Sequence, residues 1–243
     1  PDGYSICGFN AQAISQNPVM YAKLPYDPVK DFVPIVHLGS LRSALSVTAS
    51  LPVSSAAQLF DLAKAKPGSL SWATYGNASN SHLYVEWLKG TRGLEFLNVP
   101  YKTAGQAFSS MVAGETQITI YSAGNTVQMA KAGKIRVLAV IGDGPSPFLP
   151  GVPSFREAGI SLQIGNWTGF FAPAGIAPAV VQRINAEVAK MMATAEFRER
   201  YLSSVGLEPE PPAGRPVEEF AAFLKSENEK WARVVRDSGA RPD

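Results

Sequence analysis

TYGNASNSHLYVEWL, Thr74 to Leu88, holds one complete strand-to-helix junction. The residues around its start, Leu70-Ser71-Trp72-Ala73-Thr74-Tyr75, alternate in the manner of a strand. Beyond its small polar centre, Leu83, Tyr84, Trp87 and Leu88 recur at helical spacing. Between the two runs stand only small or polar residues, Gly76 to Ser81. A strand, a small-residue loop and a helix start leave backbone N–H groups without intrahelical partners. Such a place is either a plain turn or an anion site.

The same unit recurs downstream. A strand over 95–99 leads to a helix over 104–113, which Thr103 opens with Gln106 three residues on, the spacing of a capping box. A strand over 117–121 leads to a helix over 126–132, ended by Gly133. IRVLAVI, 135–141, is a nearly continuous apolar run, as expected of a strand covered on both faces. Upstream, Tyr4 to Phe9, Phe32 to Leu38 and Ala44 to Thr48 read as strands, and Asn10 to Pro18 as a polar loop. A helix carries Ala56, Leu59, Phe60 and Ala63 on one face behind Ser55 and Gln58. A Pro/Gly-rich stretch follows Gly142, then a strand over Trp167–Phe171. Two helices close the chain, one from Pro178 and one over Val217–Val235. Successive strand–helix units predict an α/β fold with a mainly parallel sheet.

Ligands of open α/β sheets sit outside the carboxyl ends of the strands. That rule brings Gly76–Ser81, Tyr101–Ala104 and Ser122–Thr126 to one rim, joined by Asn10–Ala13 if its strand belongs to a second sheet. These segments offer hydrogen bonds without bulk and suit a polar or anionic small molecule. They contain Lys102 and no Asp or Glu.

Composition narrows the field. The 243 residues are 46% hydrophobic and 17% charged, which describes a globular chain. The net charge of +2 and the lack of a long Lys/Arg run exclude a nucleic-acid footprint. The single cysteine, Cys7, permits no internal disulfide framework and reads as a buried thiol. No Cys/His cluster has metal spacing, and His37 and His82 lie far apart in sequence. The most apolar stretch, Gly169 to Val181, is broken by Pro173 and Pro178 and is too short to span a bilayer. No nucleophile elbow, paired rim carboxylates or GxGxxG after a strand supports an esterase or transferase, and GNASN is not G-x-S-x-G. His82 reads as a first-turn structural residue.

Six segments, in order, carry a resemblance. They are PDGYSI, LPYDPVKDFVPI (Leu24–Ile35), VPYKTAGQAFSSMVAGETQI (Val99–Ile118), KAGKIRVLAVIGD (Lys131–Asp143), LPGVPSFREAGI (Leu149–Ile160) and NWTGFFAPAGIAPAVVQRIN (Asn166–Asn185). Together they resemble the substrate-binding proteins of tripartite tricarboxylate transporters, the Bug-type periplasmic receptors, over nearly the whole chain. The resemblance implies a two-lobed α/β periplasmic binding protein of type II, a Venus flytrap, and a receptor rather than an enzyme. It would capture a small carboxylate in the periplasm and deliver it to a membrane permease, with no cofactor and no membrane insertion. Sensing for a signalling partner is the alternative function. Lobe 1 is expected over 1–48 and 167–243, and lobe 2 over 49–166.

Carried over by position, Gly76, Asn77, Ser79 and Ser81 match the family's carboxylate loop, with Asn80 inside it. Tyr101 and Thr103 match a second loop that continues into Ala104, although the family usually has Gly at Thr103. Asn10 and Ser122 complete the expected set of ligand residues. At the Gly-x-x-Asp step the chain reads GETQ, so Gln117 stands where relatives often carry an acid. The resemblance therefore predicts less room for a cationic ligand group near the cleft. Family members also carry a strand–helix–strand unit before PDGY, so the first lobe is expected to be incomplete at its N-terminus.

Overall fold

The computed structural model describes residues 2–239 apart from Asn77, Ala78, Asp143, Pro145, Gln163, Ser204, Val205 and Glu210. The chain divides into two compact units. One holds the chain up to Leu41 with Gly165–Ala232, and the other holds Arg42–Ile164 with the chain from Arg233.

The first unit is built on a four-stranded antiparallel sheet. Its strands are β1 (Cys7–Asn10), β2 (Phe32–Leu41), β8 (Asn166–Pro173) and β9 (Leu207–Glu208), in the order β1-β8-β2-β9. Helix α6 (Pro178–Ala193) brings Val181, Val188 and Met192 into one apolar cluster with Ile35, Val36 and Ala172. Asn185 anchors this helix by donating from Nδ2 to the carbonyls of Ile35 (2.8 Å) and Arg215 (3.0 Å). A second, aromatic cluster joins Trp167, Phe171 and Phe220 to Phe9, Phe32 and Phe223; Phe220 and Phe223 come from α8 (Val217–Ser238). Gly169 permits this packing. A Cβ there would lie 2.6 Å from the Phe220 ring and 2.8 Å from the Val36 carbonyl oxygen, so only glycine fits.

Three expectations change in this unit. Beyond Asn10, the stretch to Pro18 is helical rather than loop-like: a π-helical turn, Gln12–Gln16, runs into α1, Asn17–Met20. Its polar residues disguise a face on which Ala11, Ile14 and Met20 are buried. Cys7 is a free thiol, but half-buried on the edge strand β1 instead of enclosed. The division falls at Leu41/Arg42, Ile164/Gly165 and Ala232/Arg233, against the expected 48/49 and 166/167 with the first lobe running to the end. The strand β3 (Ser43–Thr48) causes the first of these shifts, because it pairs in the second sheet.

That second sheet has five strands in the order β5-β4-β6-β3-β7. They are β4 (Ser71–Thr74), β5 (Leu97–Pro100), β6 (Ile118–Ser122) and β7 (Ile135–Val140), with β3 between β6 and β7. The strands β5, β4 and β6 are mutually parallel, and β3 runs antiparallel to β6 and β7. The helices α2 (Ala56–Ala65), α3 (Asn80–Arg92), α4 (Ala104–Ala113) and α5 (Ala123–Lys131) alternate with the strands. Capping residues set where three of them begin. Ser55 Oγ accepts from Gln58 N–H, Ser79 Oγ from His82 N–H and Thr103 Oγ1 from Gln106 N–H. The Gln58 side chain reaches back to Ser54 rather than to Ser55, accepting from its N–H at 2.7 Å.

Candidate anion site on the rim of the five-stranded sheet

Because β5, β4 and β6 are parallel neighbours, their carboxyl ends share one edge of the sheet, about 10 Å across at the usual strand spacing. A helix begins just beyond each end: α4 after β5, α3 after β4 and α5 after β6. None of the three has an acidic residue in its first turn. The amides at such helix starts lack intrahelical carbonyl partners and carry partial positive charge, worth about 0.3–1 kcal/mol each to an exposed anion.

The side chains divide into two groups. Ser79 and Thr103 are the N-caps of α3 and α4. Each hydroxyl oxygen accepts one helix amide, which leaves the hydroxyl proton to donate outward. Asn80 and Ala104 are the first residues of those helices, and Ser122 is the N-cap of α5, with no side-chain cap bond of its own. Gly76 has φ +106, a conformation open to glycine, and its carbonyl accepts from Ser79 N–H at 3.2 Å. Tyr101 N–H donates to the Thr74 carbonyl at 2.8 Å, carrying the β4–β5 pairing one step past the strands. From Tyr101 to Thr103 a groove of about 850 Å³ runs along α4 to Ala113 and Glu115. Asn77 lies outside the described residues.

Other expected residues make structural contacts of their own. Ser81 is fully buried; its hydroxyl accepts from Trp72 Nε1 (2.9 Å) and donates to the Ala73 carbonyl (3.1 Å). Ser79 is the N-cap of α3. Gln117 precedes β6 and so sits at the amino end of the sheet, away from the rim. Its Oε1 accepts from Ser71 N–H (2.7 Å) and Ser71 Oγ (3.1 Å), clipping the start of β4. Gln117 thus closes a strand pair and does not tune the charge of the rim. Asn10 belongs to the first unit, where its Oδ1 accepts from Ala13 N–H at 3.1 Å and starts the helical turns.

Beside Tyr101, this edge carries aromatic residues that the sequence does not single out as ligand groups. Tyr75 follows β4, Tyr121 is the penultimate residue of β6, and Phe108 of α4 stacks on Tyr121 with ring centroids 4.6 Å apart and planes 16° apart. Burial pushes the Tyr75 hydroxyl up to about 12; a backbone hydrogen bond with Ser81 opposes the rise and the nearby Tyr121 adds to it. Their signal in the sequence was a tyrosine at the end of each of three strands: Thr74-Tyr75, Pro100-Tyr101 and Ile120-Tyr121. Among the described residues no group of three His, Cys, Asp or Glu is placed to hold a metal ion. No helix among them is long and apolar enough to cross a membrane.

Two α/β units and a polar rim crowned by helix N-termini define a solute-binding protein of the two-lobed periplasmic class. The chain belongs to the tripartite tricarboxylate transporter family receptors, whose pattern it matches over residues 1–240. It is 34% identical over 236 residues to the UPF0065 protein in the tcbD-tcbE intergenic region of Pseudomonas sp. (strain P51), covering 96% of this chain and 69% of that protein. Two solved structures share the fold. Rpa4515 of R. palustris with adipate has a TM-score of 0.84 and 29% identity, over 100% of this chain and 80% of that one. MatC (Rpa3494) of Rhodopseudomonas palustris with bound malate has a TM-score of 0.78 and 27% identity, over 97% and 80%.

Proposed function

We propose that this protein captures a small carboxylate at the rim of its five-stranded sheet, in the periplasm, and hands it to a membrane permease. It binds and releases its ligand without chemistry. One observation carries the reading: three helix N-termini, free of acidic residues in their first turns, stand at the ends of three adjacent parallel strands. The adipate and malate of the two related structures are the ligand chemistry such a rim suits.

Charge sets the preference. An ammonium group would face the same helix ends with no carboxylate partner, and desolvating it unpaired is costly. Simple acids should therefore bind more tightly than amino acids. Calorimetry with adipate, malate and glutamate tests this, and tighter binding of glutamate than of both acids overturns it. Ser79→Gly removes a donor to the carboxylate while costing the N-cap only a few tenths of a kcal/mol. A hydrogen bond to a charged group contributes about 1.5–3 kcal/mol, so binding should weaken tenfold or more with folding nearly intact. If Ser79→Gly and Thr103→Gly both bind these acids as well as the parent, the rim is not the site.

A further inference from the structure

Strand register carries one observation beyond the helix ends. β4 pairs with β5 as Thr74↔Pro100 and with β6 as Ala73↔Thr119. Extending each ladder by one or two residues sets Tyr75 level with Tyr101 on one side and with Tyr121 on the other. The bond from Tyr101 N–H to the Thr74 carbonyl shows that the first ladder does extend. Three tyrosines thus stand in one row across β5, β4 and β6, roughly 4.8 Å apart from strand to strand. All three residues are half-buried rather than enclosed.

We propose that Tyr101, Tyr75 and Tyr121 form an aromatic row beside the anion site that selects a carboxylate carried on a flat, unsaturated body, such as an arene carboxylate. The inference rests on the rim being the ligand site. Two rings of the row are held in place before any ligand arrives. Phe108 stacks on Tyr121, and Tyr75 has a backbone hydrogen bond with Ser81 at the start of α3. A preset ring loses little freedom on binding. The Tyr75 phenol, like any tyrosine, is protonated at neutral pH, so it offers a donor and an uncharged ring next to the ligand's negative group. A flat unsaturated body gains the ring–ring term on this row, whereas a saturated ring of the same size gains only burial.

The test compares benzoate, cyclohexanecarboxylate and adipate by calorimetry on the protein and its variants. The two ring acids share charge and similar size and differ in flatness and π-electrons. Benzoate should bind roughly twofold to tenfold more tightly than cyclohexanecarboxylate, the range of an aromatic pair. Tyr121→Leu and Tyr75→Leu should bring that ratio towards one, and Tyr121→Phe should restore it, which a purely structural role would not do. Equal binding of the two ring acids by the parent, or an unchanged ratio in both leucine variants, overturns the aromatic row and leaves the carboxylate rim standing. Failure of all three acids to bind overturns the rim itself and the row with it.

Discussion

His37 is fully buried, and neither of its ring nitrogens has a hydrogen-bond partner. Its neighbours are rings: Trp167, Phe220 and Phe223, at centroid distances of 6.2, 5.5 and 4.9 Å. Burial lowers its pKa from 6.5 to about 4. The folded protein therefore holds the neutral imidazole, and the unfolded chain takes up a proton first as pH falls. The stability at stake is present above pH 6.5 and is lost as the pH drops through 4, to a total of about 3 kcal/mol. His37→Phe keeps a ring in the box and removes the proton. Urea unfolding at pH 7 and pH 4.5 should show a smaller acid loss in the variant than in the parent, and parallel losses would place the acid sensitivity elsewhere. Ser81 teaches a related lesson. In sequence it looks like one more small polar residue of a ligand loop. In space it satisfies the buried Trp72 indole, so Ser81→Ala orphans that N–H and should cost about 1–3 kcal/mol in chemical denaturation. No local pattern distinguishes a serine that faces a ligand from one that serves a tryptophan nine residues earlier in the chain.

Capping made most elements readable. Ser55 with Gln58 and Thr103 with Gln106 mark helix starts that the structure keeps, because a side-chain oxygen three residues before an otherwise unpaired amide is a local device. Strand periodicity likewise located β4 to β8 within a few residues. It could not say to which sheet β3 belongs. Ala44, Leu45, Ser46 and Val47 are all buried, as in a strand covered on both faces, and only partner strands from residues 118–122 and 135–140 settle its place. The helical turns over 12–20 were hidden because Ser15, Asn17 and Pro18 favour loops locally, whereas burial of Ile14 and Met20 favours the helix. The caps on the rim also predict how element and site separate. Thr103→Ala removes both the cap and the ligand donor, and should lower stability by about 1 kcal/mol. Thr103→Gly should lower it by only a few tenths while weakening carboxylate binding to the same extent. Thermal melts beside calorimetry would show this, and equal stability losses in the two variants would mean that Thr103 does not cap α4 in solution.

At the scale of the whole molecule, family membership was legible because six segments occur in register along one chain, which no single segment establishes. The charge argument was legible only in part. The rim segments lack acids, as the sequence says, but Gln117 turned out to lie at the far end of its strand. The five steps along β6 put it about 17 Å from Ser122 at the usual rise per residue. A unit charge at that distance acts on another with about 0.25 kcal/mol in water, and physiological salt reduces this further. Three helix ends at the proposed site outweigh it. Gln117→Asp should therefore change the ratio of adipate to glutamate affinity by less than about twofold. Its effect should fall on folding, because the shorter side chain gives up the bonds from Ser71 N–H and Oγ, at about 1–2 kcal/mol. Calorimetry and urea unfolding on the one variant separate the outcomes. A tenfold swing towards glutamate with unchanged stability would mean that position 117 reaches the ligand after all.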